Sequence, residues 1–104
     1  MSTYKAVAIV TGSAQGIGQS IALRLASDGF DIGLNDIPAK YEELCAVADE
    51  VKKTGRRSVV VAGDVSIEEE VERMVEEVVK ELGSLDVVST ASGARILADS
   101  DLRW

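Results

Sequence analysis

The apolar positions of this chain form short continuous runs that alternate with longer periodic stretches. The runs predict four strands, over 5–10, 31–35, 58–62 and 85–89. The first run shows no polar alternation, which is typical of a parallel strand buried on both faces. The periodic stretches predict three helices over 17–28, 38–54 and 66–82, each followed by a glycine.

Strands that alternate with helices along the whole chain predict an α/β fold with a Rossmann-type doubly wound parallel sheet. Right-handed crossovers give the strand order 3-2-1-4, and the sheet stops after about four strands. We expect one dinucleotide-binding half-domain over 1–93. An irregular or weakly helical tail is expected over 94–104, where the periodicity fades. Ser66, three residues before Glu69, predicts a capping box at the start of the third helix.

Charge and composition narrow the classes of partner. The formal net charge is −7, so we expect neither nucleic acid nor an anionic membrane surface as a partner. The apolar run 6–10 is too short for a membrane span or a signal-peptide core, and a cytoplasmic protein is expected. The single cysteine, Cys45, lies in an apolar helical stripe, which favours burial. The chain has no histidine and no cluster of metal-binding residue types, so no metal site is predicted.

The glycine-rich segment 11–18, TGSAQGIG, lies between the first strand and the first helix. A Rossmann unit binds a pyrophosphate at this position. Gly12 permits the sharp turn, Gly16 lets the backbone approach the phosphates, and Gly18 lets the helix pack on the sheet. The alternative is a turn that merely connects strand to helix. The loop residues assigned to the cofactor are Gly12, Ser13, Gln15, Gly16, Ile17 and Gly18.

An acidic residue at the expected distance favours the binding interpretation. Asp36 ends the second strand, where a carboxylate can accept hydrogen bonds from the adenosine ribose and repel the 2′-phosphate of NADP. The sequence therefore predicts NAD, with NADP less favoured, and the loop has no lysine or arginine to hold the extra phosphate. Ile37 is assigned to the same site. Asp36 could instead be a capping or turn residue ahead of Pro38.

Asp64 and Val65 follow the third strand and are candidates for contact with the adenine edge. Asp64 lies just ahead of Ser66 and a helix, so a capping role is an equally good interpretation. Both interpretations stay open.

Together these motifs resemble a classical short-chain dehydrogenase/reductase over residues 4–93. The residues that carry the resemblance are TGSAQGIG at 11–18, Asp36, Gly63-Asp64-Val65 and Leu85-Asp86-Val87-Val88. Within that family the loop glutamine, the run ALRLASDGF and Asp36 are most similar to NAD-linked diacetyl and acetoin reductases and butanediol dehydrogenases. The resemblance implies an oxidoreductase.

The chain departs from the family pattern in two places. Thr90-Ala91-Ser92-Gly93 stands where the family usually has Asn-Asn-Ala-Gly, and Ala91 and Gly93 are still assigned to cofactor contact. The resemblance also implies a catalytic tyrosine, a lysine four residues later and a serine, all beyond residue 104. Alanine and cysteine follow the two tyrosines, Tyr4 and Tyr41, at that spacing, so no catalytic residue is assigned.

These observations give one preferred hypothesis and two alternatives. We expect a truncated dehydrogenase that binds NAD without turnover. It could instead be a regulatory or interaction module that docks on a full-length relative, or part of a longer, active NAD-dependent oxidoreductase acting on a small carbonyl or alcohol. A single helix on one sheet face and an unpaired edge on strand four predict self-association or docking on a relative.

Overall fold

The computed structural model describes residues 6–90 and 93–96, the last four as backbone only. A short 3₁₀ turn, Pro38–Lys40, precedes the second helix. The strands and helices in chain order are β1 (Val7–Val10), α1 (Gly16–Ser27), β2 (Asp31–Leu34), α2 (Tyr41–Lys53), β3 (Ser58–Val60), α3 (Glu68–Leu82), β4 (Val87–Thr90) and β5 (Gly93–Ile96).

The strands form one sheet in the order β3-β2-β1-β4-β5. The predicted order 3-2-1-4 is confirmed, and these four strands are parallel. Val10 lies opposite Leu34 on one side and Ser89 on the other, and Leu34 lies opposite Val60. The carboxyl ends of the four parallel strands therefore meet at one edge of the sheet, which is where such folds bind ligands.

The segment after β4 differs from the prediction. Residues 94–96 are not irregular or helical but belong to β5, which pairs antiparallel with β4. The pairing occupies the backbone hydrogen-bonding groups along that side of β4, so the predicted unpaired edge of strand four is also wrong. The residues of β5, GARI, lack the continuous apolar run that predicted the other four strands. Residues 97–104 of the predicted tail lie outside the described residues.

Two apolar clusters lie on opposite faces of the sheet. Helices α1 and α2 cover one, which includes Ala8, Val10, Ala22, Ile32, Leu34, Leu44 and Val51. Helix α3 covers the other with Met74, Val75, Val78 and Leu82. The prediction that this second face is partly uncovered is wrong for Val7, Ile9, Leu85 and Val88, which are all buried. A cavity of about 130 Å³ remains beside α3, lined by residues that include Ile9, Val71, Met74 and Thr90.

The start of α3 does not form the predicted capping box. The helix begins at Glu68, and its N-cap, Ile67, has no side-chain cap. Ser66 instead donates hydrogen bonds from its backbone N and its Oγ to Asp64 Oδ1, at 2.8 and 2.6 Å. Glu70 Oε1 accepts from the Asp64 backbone N at 2.9 Å. Ser66, which the sequence pattern predicts as the cap of α3, is thus hydrogen-bonded to the Asp64 carboxylate.

None of the helices in the described ranges is long and apolar enough to cross a membrane.

Candidate functional site

The glycine loop is attached to the strands on both sides of β1. Thr11 N donates to Ser89 O at the end of β4, at 3.0 Å. Ser13 donates from its backbone N and its Oγ to Asn35 O, just past β2, at 2.9 and 3.2 Å. Ser13 is fully buried. The loop is therefore held at the carboxyl edge of the sheet by contacts that come from neighbouring strands.

The three loop glycines serve different purposes. Gly12 and Gly16 have φ values of +63° and +62°, in the left-handed region that favours glycine, and a Cβ on either would meet open space. A Cβ on Gly18 would instead collide with the carbonyl oxygen of Gly12. Gly18 therefore lets α1 approach the turn of the loop itself, whereas the sequence motif predicted a role in packing on the sheet.

The N-terminus of α1 is open to an anion. Gln15 is the N-cap but makes no side-chain capping bond, and the first turn holds no acidic residue. The first backbone N–H groups of a helix have no carbonyl partner within it, and the helix dipole is positive at this end. Together with the open space beside Gly12 and Gly16, these features fit the pyrophosphate of a dinucleotide.

The Asp36 carboxylate lies against the glycine loop. Its Oδ2 accepts from Ala14 N at 3.2 Å and its Oδ1 from Ile37 N at 2.8 Å. The second contact is the local turn bond that the alternative interpretation expects. The first one spans two elements and places a negative charge beside the loop that precedes α1. The structure thus gives Asp36 a turn contact and a position beside the candidate phosphate site.

Asn35 lies at the candidate site and was not predicted from the sequence. It is buried, and its Nδ2 donates to Val61 O and Gly63 O, at 3.0 and 3.2 Å. Because its own carbonyl accepts from Ser13, Asn35 ties the glycine loop to the chain that follows β3. An amide at the end of an apolar strand was the available signal, since a buried amide requires specific hydrogen-bond partners.

Lys40 is a second residue at the candidate site that was not predicted from the sequence. Its Nζ donates to Gln15 Oε1 at 3.0 Å and lies 3.8 Å from Glu43 Oε2. The lysine is 25 positions from the glutamine in sequence, and the 3₁₀ turn Pro38–Lys40 lies between β2 and α2. Nothing in the local sequence pattern indicated this contact, which brings an ammonium group to a loop that has no cation of its own.

Asp64 and Val65 lie at the same edge, after β3. The Asp64 carboxylate accepts two hydrogen bonds from Ser66, which hold the pKa of Asp64 below its ordinary value, the side-chain bond having the larger effect. The capping interpretation expected a local contact of this kind, but the Asp64 side chain bonds within the loop and does not cap α3. Val65 is about half exposed.

Exposed apolar side chains occur in the segments that follow β1, β2 and β3. In the described ranges five large apolar side chains are exposed, namely Ile17, Ile37, Tyr41, Val65 and Ile67. Ile17 lies in the glycine loop, Ile37 follows Asp36, and Val65 and Ile67 follow β3. Ligand sites are lined mainly by apolar side chains beside a few polar groups.

The remaining assigned residues differ in what the structure describes. The backbone of Gly93 lies opposite Thr90 in the β4–β5 pair, at the same edge of the sheet. Ala91 lies outside the described residues.

Cys45 is half-buried, less than its apolar stripe predicts. It contacts the exposed Tyr41 hydroxyl and raises the pKa of that tyrosine, opposite to the shift needed in a tyrosine that exchanges protons near neutral pH.

Comparison with known proteins places these features in one family. The sequence model of the short chain dehydrogenase family matches residues 6–102. A short-chain dehydrogenase/reductase of Hericium erinaceus, eriH, is 48% identical over 91 residues, which cover 86% of this chain and 36% of that protein.

Solved structures give the same result. The acetoin dehydrogenase YohF from Salmonella typhimurium superposes with a TM-score of 0.75 at 34% identity, covering 83% of this chain and 35% of that one. Carveol dehydrogenase from Mycobacterium avium, solved in complex with NAD, gives 0.76 at 32% identity, covering 91% and 40%. The chain thus spans 35 to 40% of the length of the three proteins named here.

Proposed function

The chain belongs to the short-chain dehydrogenase family, and we propose that it binds NAD at the glycine loop, in preference to NADP. The observation that carries the proposal is the contact between Asp36 Oδ2 and Ala14 N, at 3.2 Å. It places a carboxylate at the loop whose open helix terminus suits the pyrophosphate. The NAD bound to the similar carveol dehydrogenase supports the class of ligand.

Each part of the dinucleotide has a proposed contact. The backbone N–H groups at the start of α1 hold the pyrophosphate, with room provided at Gly12 and Gly16. The Asp36 carboxylate accepts from the hydroxyls of the adenosine ribose, and the same charge repels a 2′-phosphate. Ile37 and Val65, both exposed beside the site, contact the adenine. Ala91 and Gly93 complete the proposed set of contacts.

Bound NAD supplies a hydride acceptor, and NADH a hydride donor, for chemistry on an alcohol or a carbonyl. Carbonyl reduction also needs a proton delivered to the oxygen as hydride reaches the carbon. Neither Tyr4 nor Tyr41 has a lysine four residues later, and the contact with Cys45 raises the pKa of Tyr41. We therefore propose that the 104-residue chain binds the cofactor without turnover, and that a longer protein containing it would be an NAD-dependent oxidoreductase.

Calorimetric titration with NAD and NADP tests the binding proposal. We expect heat from both ligands and a lower Kd for NAD. Absence of binding to folded protein would refute the proposal, and a lower Kd for NADP would refute the role of Asp36. For turnover, we expect no NADH consumption with diacetyl or acetoin. Steady consumption that survives exhaustive purification would refute the inactive assignment.

Association with itself or with a full-length relative stays a prediction with weaker support than the sequence suggested. It was based on an unpaired β4 edge and an uncovered sheet face. The structure pairs β4 with β5 and buries Val7, Ile9 and Val88 on that face. Light scattering across a concentration series measures the oligomeric state directly, and a constant monomer mass would exclude self-association.

A further inference from the structure

We propose that Lys40 is a second determinant of the choice between NAD and NADP, one that acts against Asp36. The inference rests on the proposed function, because it concerns the ribose end of the same site. Lys40 carries a positive charge to a glycine loop that otherwise has none. Its effect is to reduce the penalty that Asp36 imposes on a 2′-phosphate.

The carboxylate and the ammonium group contact neighbouring residues of the loop. Asp36 Oδ2 accepts from Ala14 N at 3.2 Å, and Lys40 Nζ donates to the side chain of Gln15 at 3.0 Å. Ala14 and Gln15 are consecutive in the chain, so both charges are held at the same part of the loop. In this proposal a phosphate group that enters beside Asp36 lies close enough to Lys40 to interact with both charges.

The present partners of Lys40 allow it to take on a phosphate. Gln15 Oε1 is a neutral acceptor, and Glu43 Oε2 is 3.8 Å away and about half exposed, which makes for a weak ion pair. A phosphate oxygen is a stronger acceptor for an ammonium group than an amide oxygen. Lys40 therefore favours a hydrogen bond to a 2′-phosphate over its bond to Gln15. NAD has no 2′-phosphate, so its binding leaves the Lys40–Gln15 bond unchanged.

Opposing charges predict a specific pattern of discrimination. In the natural chain Asp36 dominates, because its carboxylate accepts from the loop backbone itself, and Lys40 reduces the resulting preference for the ligand without a 2′-phosphate. Removal of the Asp36 charge leaves Lys40 unopposed, so the preference reverses. Removal of both charges leaves little discrimination.

Titration with AMP and adenosine 2′,5′-bisphosphate tests this pattern, because the two probes differ only in the 2′-phosphate. The measured quantity is the ratio of the bisphosphate Kd to the AMP Kd in the 104-residue chain and in the variants Lys40→Met, Asp36→Asn and the double variant. Lys40→Met should raise the ratio about three- to tenfold, equivalent to about 0.7 to 1.4 kcal/mol. Asp36→Asn should lower it below one, and Lys40→Met in that background should restore it towards one.

The matched control is Lys53→Met, which removes the same charge from the other end of α2. Lys53 pairs with Glu50 and lies outside the site, so its variant should leave the ratio unchanged. Urea unfolding confirms that each variant is folded. An unchanged Kd ratio in Lys40→Met, including equal changes in the Kd of both probes, would overturn the inference while the proposed function stands. Absence of AMP and NAD binding by the natural chain would overturn both.

Discussion

Helices α1 and α3 both begin at the carboxyl edge of the sheet, yet their N-termini are built differently. The first turn of α3 carries three glutamates, Glu68, Glu69 and Glu70, and the last of these accepts a hydrogen bond from Asp64 N. The first turn of α1 carries no acidic residue, and its N-cap makes no side-chain bond. One helix compensates its positive end with its own carboxylates, whereas the other has no carboxylate in its first turn.

The difference agrees with the proposed phosphate site at the N-terminus of α1. Acidic residues in the first turn stabilise a helix by about 0.3 to 1 kcal/mol each, so α1 forgoes a contribution that α3 uses. Two loop glycines with positive φ add to the conformational cost of the α1 side. A feature that costs stability and opens towards solvent is more readily explained by a ligand than by folding.

The largest effect should come from disrupting the turn before α1. Gly18→Ala places a Cβ against the Gly12 carbonyl oxygen, and overpacking of this kind costs up to about 3 kcal/mol. We expect a lower free energy of unfolding in urea and at least tenfold weaker NAD binding, because the loop must move.

Gly29→Ala is the matched control for this variant. Gly29 follows the other end of α1 with a φ of +104° and open space at its Cβ position. Its substitution strains the backbone by about 1 to 2 kcal/mol without touching the loop. NAD affinity should therefore be retained in the control. Equal loss of affinity in both variants would mean that general destabilisation, and not the loop, controls binding.

The next effect compares two carboxylates that accept from loop N–H groups. Asp36 accepts from Ala14 N before α1, and Glu70 accepts from Asp64 N before α3. Asp36→Ala should weaken NAD binding by about 1.5 to 3 kcal/mol, the range for a lost charge-assisted hydrogen bond. It should also narrow the preference over NADP, to the point of reversal if Lys40 acts as proposed above. Glu70→Gln should lower stability and leave NAD binding unchanged. Calorimetric titration and urea unfolding separate the two, and weakened NAD binding in Glu70→Gln would contradict the comparison.

The two helix starts can also be made alike. Ile17 lies in the first turn of α1 and is 71% exposed, so Ile17→Glu introduces a carboxylate without disturbing the core. We expect NAD affinity to fall by about 1 kcal/mol at low ionic strength, since the new charge interacts with the same helix terminus. Added salt should reduce the effect. Ile17→Gln controls for shape and polarity, and an equal loss of affinity there would show that the apolar contact is what matters.

Much of this architecture could be predicted from the sequence because its signals are local. The run before Thr11 gives β1, the glycines give the loop, and the apolar stripe of α3 gives the helix that covers the second face. Asp36 could be placed at the loop because strand order fixes which ends meet. These predictions depend on periodicity and on glycine chemistry, both of which can be read within a few residues.

The features that were missed depend on contacts between distant segments. Lys40 reaches Gln15 across 25 positions, and Asn35 joins the loop to the residues after β3. The predicted capping box does not form because Ser66 has two possible local partners. It donates to the Asp64 carboxylate and does not cap α3. The role of Gly18 depends on how closely α1 approaches the Gly12 carbonyl, which no pattern of residue types specifies.

The smallest effect concerns the loop before α3. Two hydrogen bonds from Ser66 lower the pKa of Asp64 below its ordinary value, so the folded state favours the ionised form. A lowered folded-state pKa contributes stability above the unfolded-state pKa, and this contribution disappears as the pH falls through the folded-state pKa. Ser66→Ala removes the side-chain bond and should raise the Asp64 pKa towards its ordinary value. A carboxyl-detected NMR titration measures the shift, and the variant should be less stable than the natural chain at neutral pH but equal to it below the lowered pKa. Glu69→Ala provides the comparison, because a capping box would need a Glu or Gln side chain at that position whereas the Asp64 turn does not. A change in the Asp64 pKa on Glu69→Ala as large as that on Ser66→Ala would show that the turn and the helix start are coupled, and that Ser66 acts through the helix after all.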